Sequence, residues 1–181
     1  QCLSNLHQVG LACNLYENDH DGQAPSDKVF SGHRLAWSLL ISYANDNKIF
    51  TCPAADALQS LGYIYRSGPR SMPYTSAAPQ RLSPGTVIAY CLDHVPHHVI
   101  HGRVVDNVEY DKDAHGRYAG AVQAVREDSS AFRVSGSQLE EWGSDGINWY
   151  LLPPPPKGVK NWTQTLRFPG EPWPPEFEPQ F

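Results

Sequence analysis

No window of this 181-residue chain approaches the roughly eighteen consecutive apolar residues that a membrane span requires. No basic run exceeds two residues, and 14 Lys and Arg stand against 19 Asp and Glu, for a net charge of −5. Such a chain lacks the counterion-release term that drives binding to a phosphate backbone, so nucleic acid is not expected as its main partner. There is no G-x-S-x-G, no H-E-x-x-H and no P-loop, and Ser135-Gly136-Ser137 is not a nucleophile elbow. Glu140 and Glu141 are adjacent and would not converge on one bond from a helix. No catalytic residue is assigned. Cysteine is sparse as well: four residues with no CxxC or comparable metal-ligand pair, so a structural zinc of the common thiolate type is not expected.

What the chain does have is proline, glycine and aromatic residues. Sixteen prolines and fourteen glycines make up about 17% of it, against about 12% in ordinary proteins, which points to turns and extended connections rather than a helical bundle. Hydrophobic residues at 40% and aromatics at 11% fit an ordered globular chain. At 20.1 kDa it has the size of one domain.

The strongest periodic signal comes first. Cys2, Leu6, Val9, Cys13 and Tyr16 recur at steps of four, three, four and three, with Leu3 widening the stripe, and this predicts a helix over 2–20. Gly10 sits inside that pattern, where it marks close packing or a supported kink. Gly22 is the expected left-handed cap, and Pro25 prevents continuation. Glu17, Asp19 and Asp21 form an acidic cluster expected to be solvated. A chain that opens at Gln1 already in register with an apolar stripe reads as a helix entered partway along. A second helix is expected over Arg34 to Tyr43 with Ser31 as its cap, followed by an extended piece from Lys48 to Pro53. Strands are expected at 62–66, at 86–92 and within 98–110; 119–125 is ambiguous between helix and strand, and Ser137 to Trp142 reads as one helical turn. These elements predict an α+β domain, the first helix lying across an antiparallel sheet drawn from 62–66, 86–92 and 98–110. Residues 1–150 form this domain. Residues 151–181 read as a proline- and aromatic-rich tail packed on its surface, with Trp149 and Tyr150 entering the core and at least two of Trp162, Phe168 and Trp173 buried.

Cys2 and Cys13 are about 16 Å apart along one helix, too far for a disulfide. Cys52 and Cys91 could pair with each other or remain buried thiols. His94, His97, His98 and His101, beside Asp93, put four imidazoles and a carboxylate within nine residues. They read as a polar connection or as ligands for a borderline metal such as zinc. Asp111 and Asp113, with Gly116 behind them, resemble the opening of a calcium loop, but Val122 stands where the bidentate glutamate belongs. A plain acidic turn is the simpler reading.

The stretch Cys2-Leu3-Ser4-Asn5-Leu6-His7-Gln8-Val9-Gly10-Leu11-Ala12, followed by Tyr16, Asp19, Gly22 and Pro25, resembles the start of the soluble part of pseudopilins. It is similar to bacterial prepilin-type proteins related to the major pseudopilins of type II secretion. Phe50-Thr51-Cys52-Pro53 resembles the family's aromatic-x-Cys-Pro step, and Gly62-Tyr63-Ile64-Tyr65 its next strand. Val87-Ile88-Ala89-Tyr90, His94 and the segment Val104 to Tyr110 resemble its closing part. There Asn107 replaces the usual glycine, and no histidine stands beside it. The resemblance runs to about residue 110.

This resemblance implies a pilin-like fold and a non-enzymatic filament subunit of a type II secretion pseudopilus or a type IV pilus-like fibre. Its anchor would be an apolar helix upstream of Gln1 in the bacterial inner membrane, with the globular part in the periplasm or on a cell-surface filament. Its partners would be other pseudopilin subunits, the secretion machinery or exported cargo. Leu3, Leu6, Val9, Gly10, Cys13 and Tyr16 become the packing residues, and calcium or zinc the admissible metals. The alternative is a metal-dependent hydrolase using the histidines of 94–101 with Asp93 or Asp106 as an added ligand.

Overall fold

The computed structural model describes residues 1–23, 25, 37–54, 63–65, 85–99, 108–113, 117–144, 149–151 and 163–171. The first helix, α1, runs Cys2–Asp19 and buries Cys2, Asn5, Leu6, Val9, Gly10, Ala12, Cys13 and Glu17 on one face. It ends as the glycine predicts. Gly22 takes a φ of +78°, Asp21 one of +54°, and the Gly22 amide donates to the Glu17 carbonyl at 2.8 Å. The acidic cluster at this end is not wholly solvated, because Glu17 is only 1% exposed. Asp19 accepts a hydrogen bond from the Tyr43 hydroxyl at 3.1 Å. Tyr16 is half-buried and stacks on His20, with centroids 3.8 Å apart.

The second predicted helix is shorter than expected within the described residues. It comprises α2 (Trp37–Leu40) and a 3-10 turn, Ile41–Tyr43, while Arg34 and Ser31 lie outside them. The extended piece expected from Lys48 is instead a 3-10 turn, Asn47–Phe50. Asp46 explains the difference, since its carboxylate accepts from the Lys48 amide at 2.9 Å and offers the backbone a local turn in place of a ladder.

Strands β1 (Tyr63–Tyr65) and β2 (Val87–Cys91) lie where the sequence places them. Among the described residues, strands β3 (His97–Val99) and β4 (Val108–Tyr110) pair with each other and not with the main sheet, to which 98–110 was expected to contribute. That place goes to β5 (Ala121–Arg126) and β6 (Ala131–Ser135), giving an antiparallel sheet in the order β1-β2-β5-β6. The ambiguity over 119–125 has a physical source. Ala121, Val122, Ala124 and Val125 are all buried because the sheet is covered on both faces, so the period of two is lost.

After β6 the chain makes a 3-10 turn, Gly136–Gln138, closed by a capping box between Ser135 and Gln138. It then enters β7 (Glu140–Ser144), where a helical turn was expected. Strands β8 (Trp149–Leu151) and β9 (Thr163–Arg167) flank β7 in a second antiparallel sheet, so pairing crosses position 150, the expected boundary between domain and tail.

The core has two layers, one on each face of the main sheet. Leu6, Val9, Ala12 and Cys13 of α1 pack with Leu40, Ile49, Ile88, Ala89 and Val125. Val87, Val122, Ala124 and Val134 pack with Leu139, Leu166 and Phe168. Phe168 is 1% exposed, as expected of the C-terminal aromatics, and its ring meets Tyr90 and Phe132. Trp162, Trp173, the proline run and the side chains of Trp149 and Tyr150 lie outside the described residues. Both carboxylate oxygens of buried Glu171 accept backbone amides at 2.8 Å, one from Val87 and one from Phe168. Arg126 donates to the Gly85 carbonyl at 2.8 Å and to that of Pro169 at 3.3 Å. The C-terminal stretch is thus tied to the start of β2.

Helix α1 is seated on the β5–β6 turn by three residues of one face. His7 Nδ1 lies 2.7 Å from the Ser129 carbonyl oxygen, which can only accept, so Nδ1 carries the proton. Asn14 donates to the Ser129 hydroxyl at 2.7 Å. Between them a Cβ on Gly10 would stand 2.8 Å from Val125 Cγ2 and 3.0 Å from Ser129 Cα, so the glycine serves close packing.

Candidate metal centre

Three separate segments converge at the Cys2 end of α1. Cys2 is the first residue of the helix, Cys52 follows the 3-10 turn at 47–50, and Cys91 ends β2. His94 sits in the tight turn after β2, which is closed by the Val95 amide donating to the Leu92 carbonyl at 2.8 Å. Asn5, one turn along α1 from Cys2 and 4% exposed, donates to the carbonyls of Thr51 at 3.2 Å and Lys48 at 3.5 Å. That side chain fixes the approach of the Cys52 segment to the helix.

The three thiol sulfurs and one ring nitrogen of His94 all lie within 4.8 Å of one another. Cys52 Sγ is 3.4 Å from His94 Nε2, and the Cys91 thiol reaches Asp93 Oδ2 at 3.6 Å. The cysteines are buried and His94 is half-exposed. All four cysteines are free and buried in the structure. Burial pushes the Cys52 thiol up to about 11, and Cys91 is driven higher still by its hydrogen bond to the Cys2 thiol and by burial. Both groups are therefore neutral thiols at neutral pH. A cavity of about 390 Å³ adjoins the cluster, with Leu3, Pro53, Gln123 and Arg133 in its wall beside Cys2 and His94.

Of the histidine group, His94 is the member whose side chain is described, and it belongs to this set. His97 and His98 lie on β3 with side chains outside the described residues, and His101 and Asp106 lie outside them altogether. Asp111 and Asp113 flank Lys112, which forms an antiparallel bridge with Tyr118, and the Asp113 amide donates to the Arg117 carbonyl at 2.9 Å. The Asp113 carboxylate takes the Arg117 guanidinium at 2.7 Å and the Arg117 amide at 3.0 Å, so it is already engaged. Among the described residues, the Cys2, Cys52, Cys91 and His94 set is the one group of three or more such side chains close enough to hold an ion.

The sequence carried one overlooked signal. Cys91-Leu92-Asp93-His94 is a C-x-x-H pair, with the spacing of a CxxC half-site and a histidine in the second position. Cys2 and Cys52 carried no such local sign. Cys13 is buried elsewhere along α1, with its thiol raised well above the ordinary range by burial and by the nearby charges of Glu17 and Glu127.

No protein-family model, curated protein or solved structure matches the chain.

Proposed function

We propose that this chain is the globular part of a non-enzymatic filament subunit of the pseudopilin kind, working in a type II secretion pseudopilus or a type IV pilus-like fibre. One observation carries the reading. Helix α1 buries one face on an antiparallel sheet while Leu11 and Leu15, one turn apart, stand 45% and 52% exposed on the other. In a fibre built around its N-terminal helices, that outer pair meets the helix of a neighbouring subunit. The resemblance of 1–25 to pseudopilins supports the same arrangement. On this reading the anchor is an apolar segment upstream of Gln1 in the inner membrane, as the resemblance implies; no helix among the described residues is long and apolar enough to cross a membrane. The globular part faces the periplasm or the cell surface, its partners are like subunits, secretion machinery or cargo, and a separate ATPase drives assembly. Zinc is the metal that the Cys2, Cys52, Cys91 and His94 group favours.

The hydrolase alternative rests on His97, His98, His101 and Asp106 beside His94 and Asp93; the side chains of the first four lie outside the described residues, and His94 Nε2 faces Cys52.

The encoding gene provides the first test: a stretch of about twenty apolar residues preceded by a leader-peptidase site is expected upstream of Gln1. Leu11→Asp with Leu15→Asp in the full-length protein should abolish filaments while leaving the melting temperature of the globular part unchanged. Filaments that persist, or a gene without the apolar stretch, would sink the reading.

A further inference from the structure

We infer that Cys2, Cys52, Cys91 and His94 form a closed tetrahedral zinc site that staples the first turn of α1 to the 47–52 turn and to the end of β2. The inference rests on these four residues and not on the filament reading.

Geometry comes first. A zinc ion with bonds of about 2.3 Å to sulfur and about 2.0–2.1 Å to nitrogen spans ligand edges of about 3.8 Å between sulfurs and about 3.6 Å between sulfur and nitrogen. The observed Cys52–His94 separation of 3.4 Å already has that length. The widest separation, 4.8 Å or less, closes by about 1 Å, within the reach of a cysteine side-chain rotation. No backbone rearrangement is needed.

The donor chemistry selects the metal. Three thiolates and an imidazole are soft and borderline ligands, suited to zinc and unsuited to the hard cations calcium and magnesium. Four protein ligands satisfy a tetrahedral ion completely, which is the pattern of a structural site. Three thiolates leave the zinc-bound set with one net negative charge, and Arg133 is the basic side chain among the residues that line the adjoining cavity with Cys2 and His94. Asn5 acts as an outer support, holding the carbonyl just before Cys52.

The site also supplies a linkage that apolar packing does not. It joins residues 2, 52, 91 and 94 through one ion, so metal binding and the seating of α1 are coupled.

The test uses the full 181-residue chain, purified with reductant and without chelator. Metal analysis should find one zinc per chain, and the zinc-free protein should rebind zinc more tightly than about 0.1 μM. Cobalt(II) in place of zinc should show thiolate charge transfer and the intense visible bands of a tetrahedral centre. His94→Ala and Cys91→Ser should weaken binding beyond the about 10–100-fold that follows loss of an outer partner. Cys13→Ser should leave it unchanged. Should His94→Ala fail to fold, His94→Cys keeps a soft donor at the same position and should retain zinc and the cobalt spectrum. The inference is overturned by binding weaker than about 10 μM, a weak octahedral cobalt spectrum, equal loss in Cys13→Ser, or a disulfide within the set that persists in zinc. Preference for copper(I) with rejection of zinc would overturn the assignment of the metal.

Discussion

The Nε2 of His94 stands 3.4 Å from the Sγ of Cys52, although 42 positions of chain separate them. The tight turn after β2 aims the imidazole, and the hold of Asn5 on Thr51 and Lys48 delivers the thiol. The contact therefore depends on α1, on the 47–50 turn and on β2 at once.

Zinc affinity should rise with pH. Cys52 and Cys91 are raised above ordinary thiols, so at neutral pH they carry protons that the ion must expel. Apparent affinity then increases roughly tenfold per pH unit for each proton displaced, up to the thiol pKa. Titrations at pH 6, 7 and 8 in buffers of different ionisation enthalpy would show both the slope and the protons released. A flat profile would contradict thiolate ligation.

Cys13 should be inert. Burial and the charges of Glu17 and Glu127 hold its thiol well above the ordinary range, and the thiolate is the reactive form. Iodoacetamide at pH 8 is expected to leave Cys13 unmodified in the native protein and to label it only as the chain unfolds. Mass spectrometry of a labelling time course checks this, and rapid modification without denaturant would count against the described packing of α1.

Gly10→Ala should destabilise the protein. The added methyl would lie 2.8 Å from Val125 Cγ2 and 3.0 Å from Ser129 Cα, and the second of these is backbone. Overpacking of this kind costs about 1–3 kcal/mol, offset by up to about 1 kcal/mol of improved helix propensity. A net loss of about 1–2 kcal/mol in chemical denaturation is expected. A stabilised variant would show that the helix is not seated this closely.

Glu171→Ala should cost about 2–4 kcal/mol, because it leaves the buried amides of Val87 and Phe168 without an acceptor. Glu171→Gln should cost less, since one amide keeps its oxygen while the other faces an NH₂ group. Denaturation midpoints and protease sensitivity near residue 168 would report the order. Equal stability of all three proteins would rule out this carboxylate as the tie between the C-terminal stretch and β2.

Asp128 gives a small acid-side contribution. Hydrogen bonds from the Ser130 hydroxyl and amide lower its pKa, so its contribution is complete above the ordinary carboxylate pKa and is lost as pH falls through the depressed folded value. The group is exposed, so solvent screening holds the effect under about 1 kcal/mol. Asp128→Asn should flatten that part of the acid limb below about pH 4, with its small cost, under about 1 kcal/mol, seen at pH 7 and fading toward pH 3. A larger change at pH 3 than at pH 7 would reverse the sign and refute the assignment.

Some of this was legible in the residues and some was not. Helix α1 and strand β2 were, because a one-sided apolar stripe and a short buried run each have a distinctive period. Strand β5 was not: both its faces are covered, and alternation disappears. The main sheet was misassembled for the same reason, with 98–110 placed where β5 and β6 lie. The metal centre was half legible. Cys91 and His94 form a local pair, but Cys2 and Cys52 join it only through the long-range contacts of Asn5, which no spacing announces. Asp46 turned an apparently extended stretch into the 3-10 turn that carries Cys52, a case of local side-chain capture overriding β propensity.

The seat of α1 on Ser129 also bears on the order in which the chain can fold. His7 meets Ser129 across 122 positions and Asn14 across 115, so α1 waits for one of the later hairpins before it is held. Until residues 125–130 emerge, the 18-residue helix lacks Val125 and the Ser129 seat, and its Leu6, Val9 and Cys13 stripe is only partly covered, by residues such as Ile88 and Ala89 of β2. Contacts of such high sequence separation slow folding and prolong exposure of apolar surface. Nascent chains arrested near residue 115 should therefore carry α1 undocked and open to chaperone capture, whereas those extended past residue 135 should protect it.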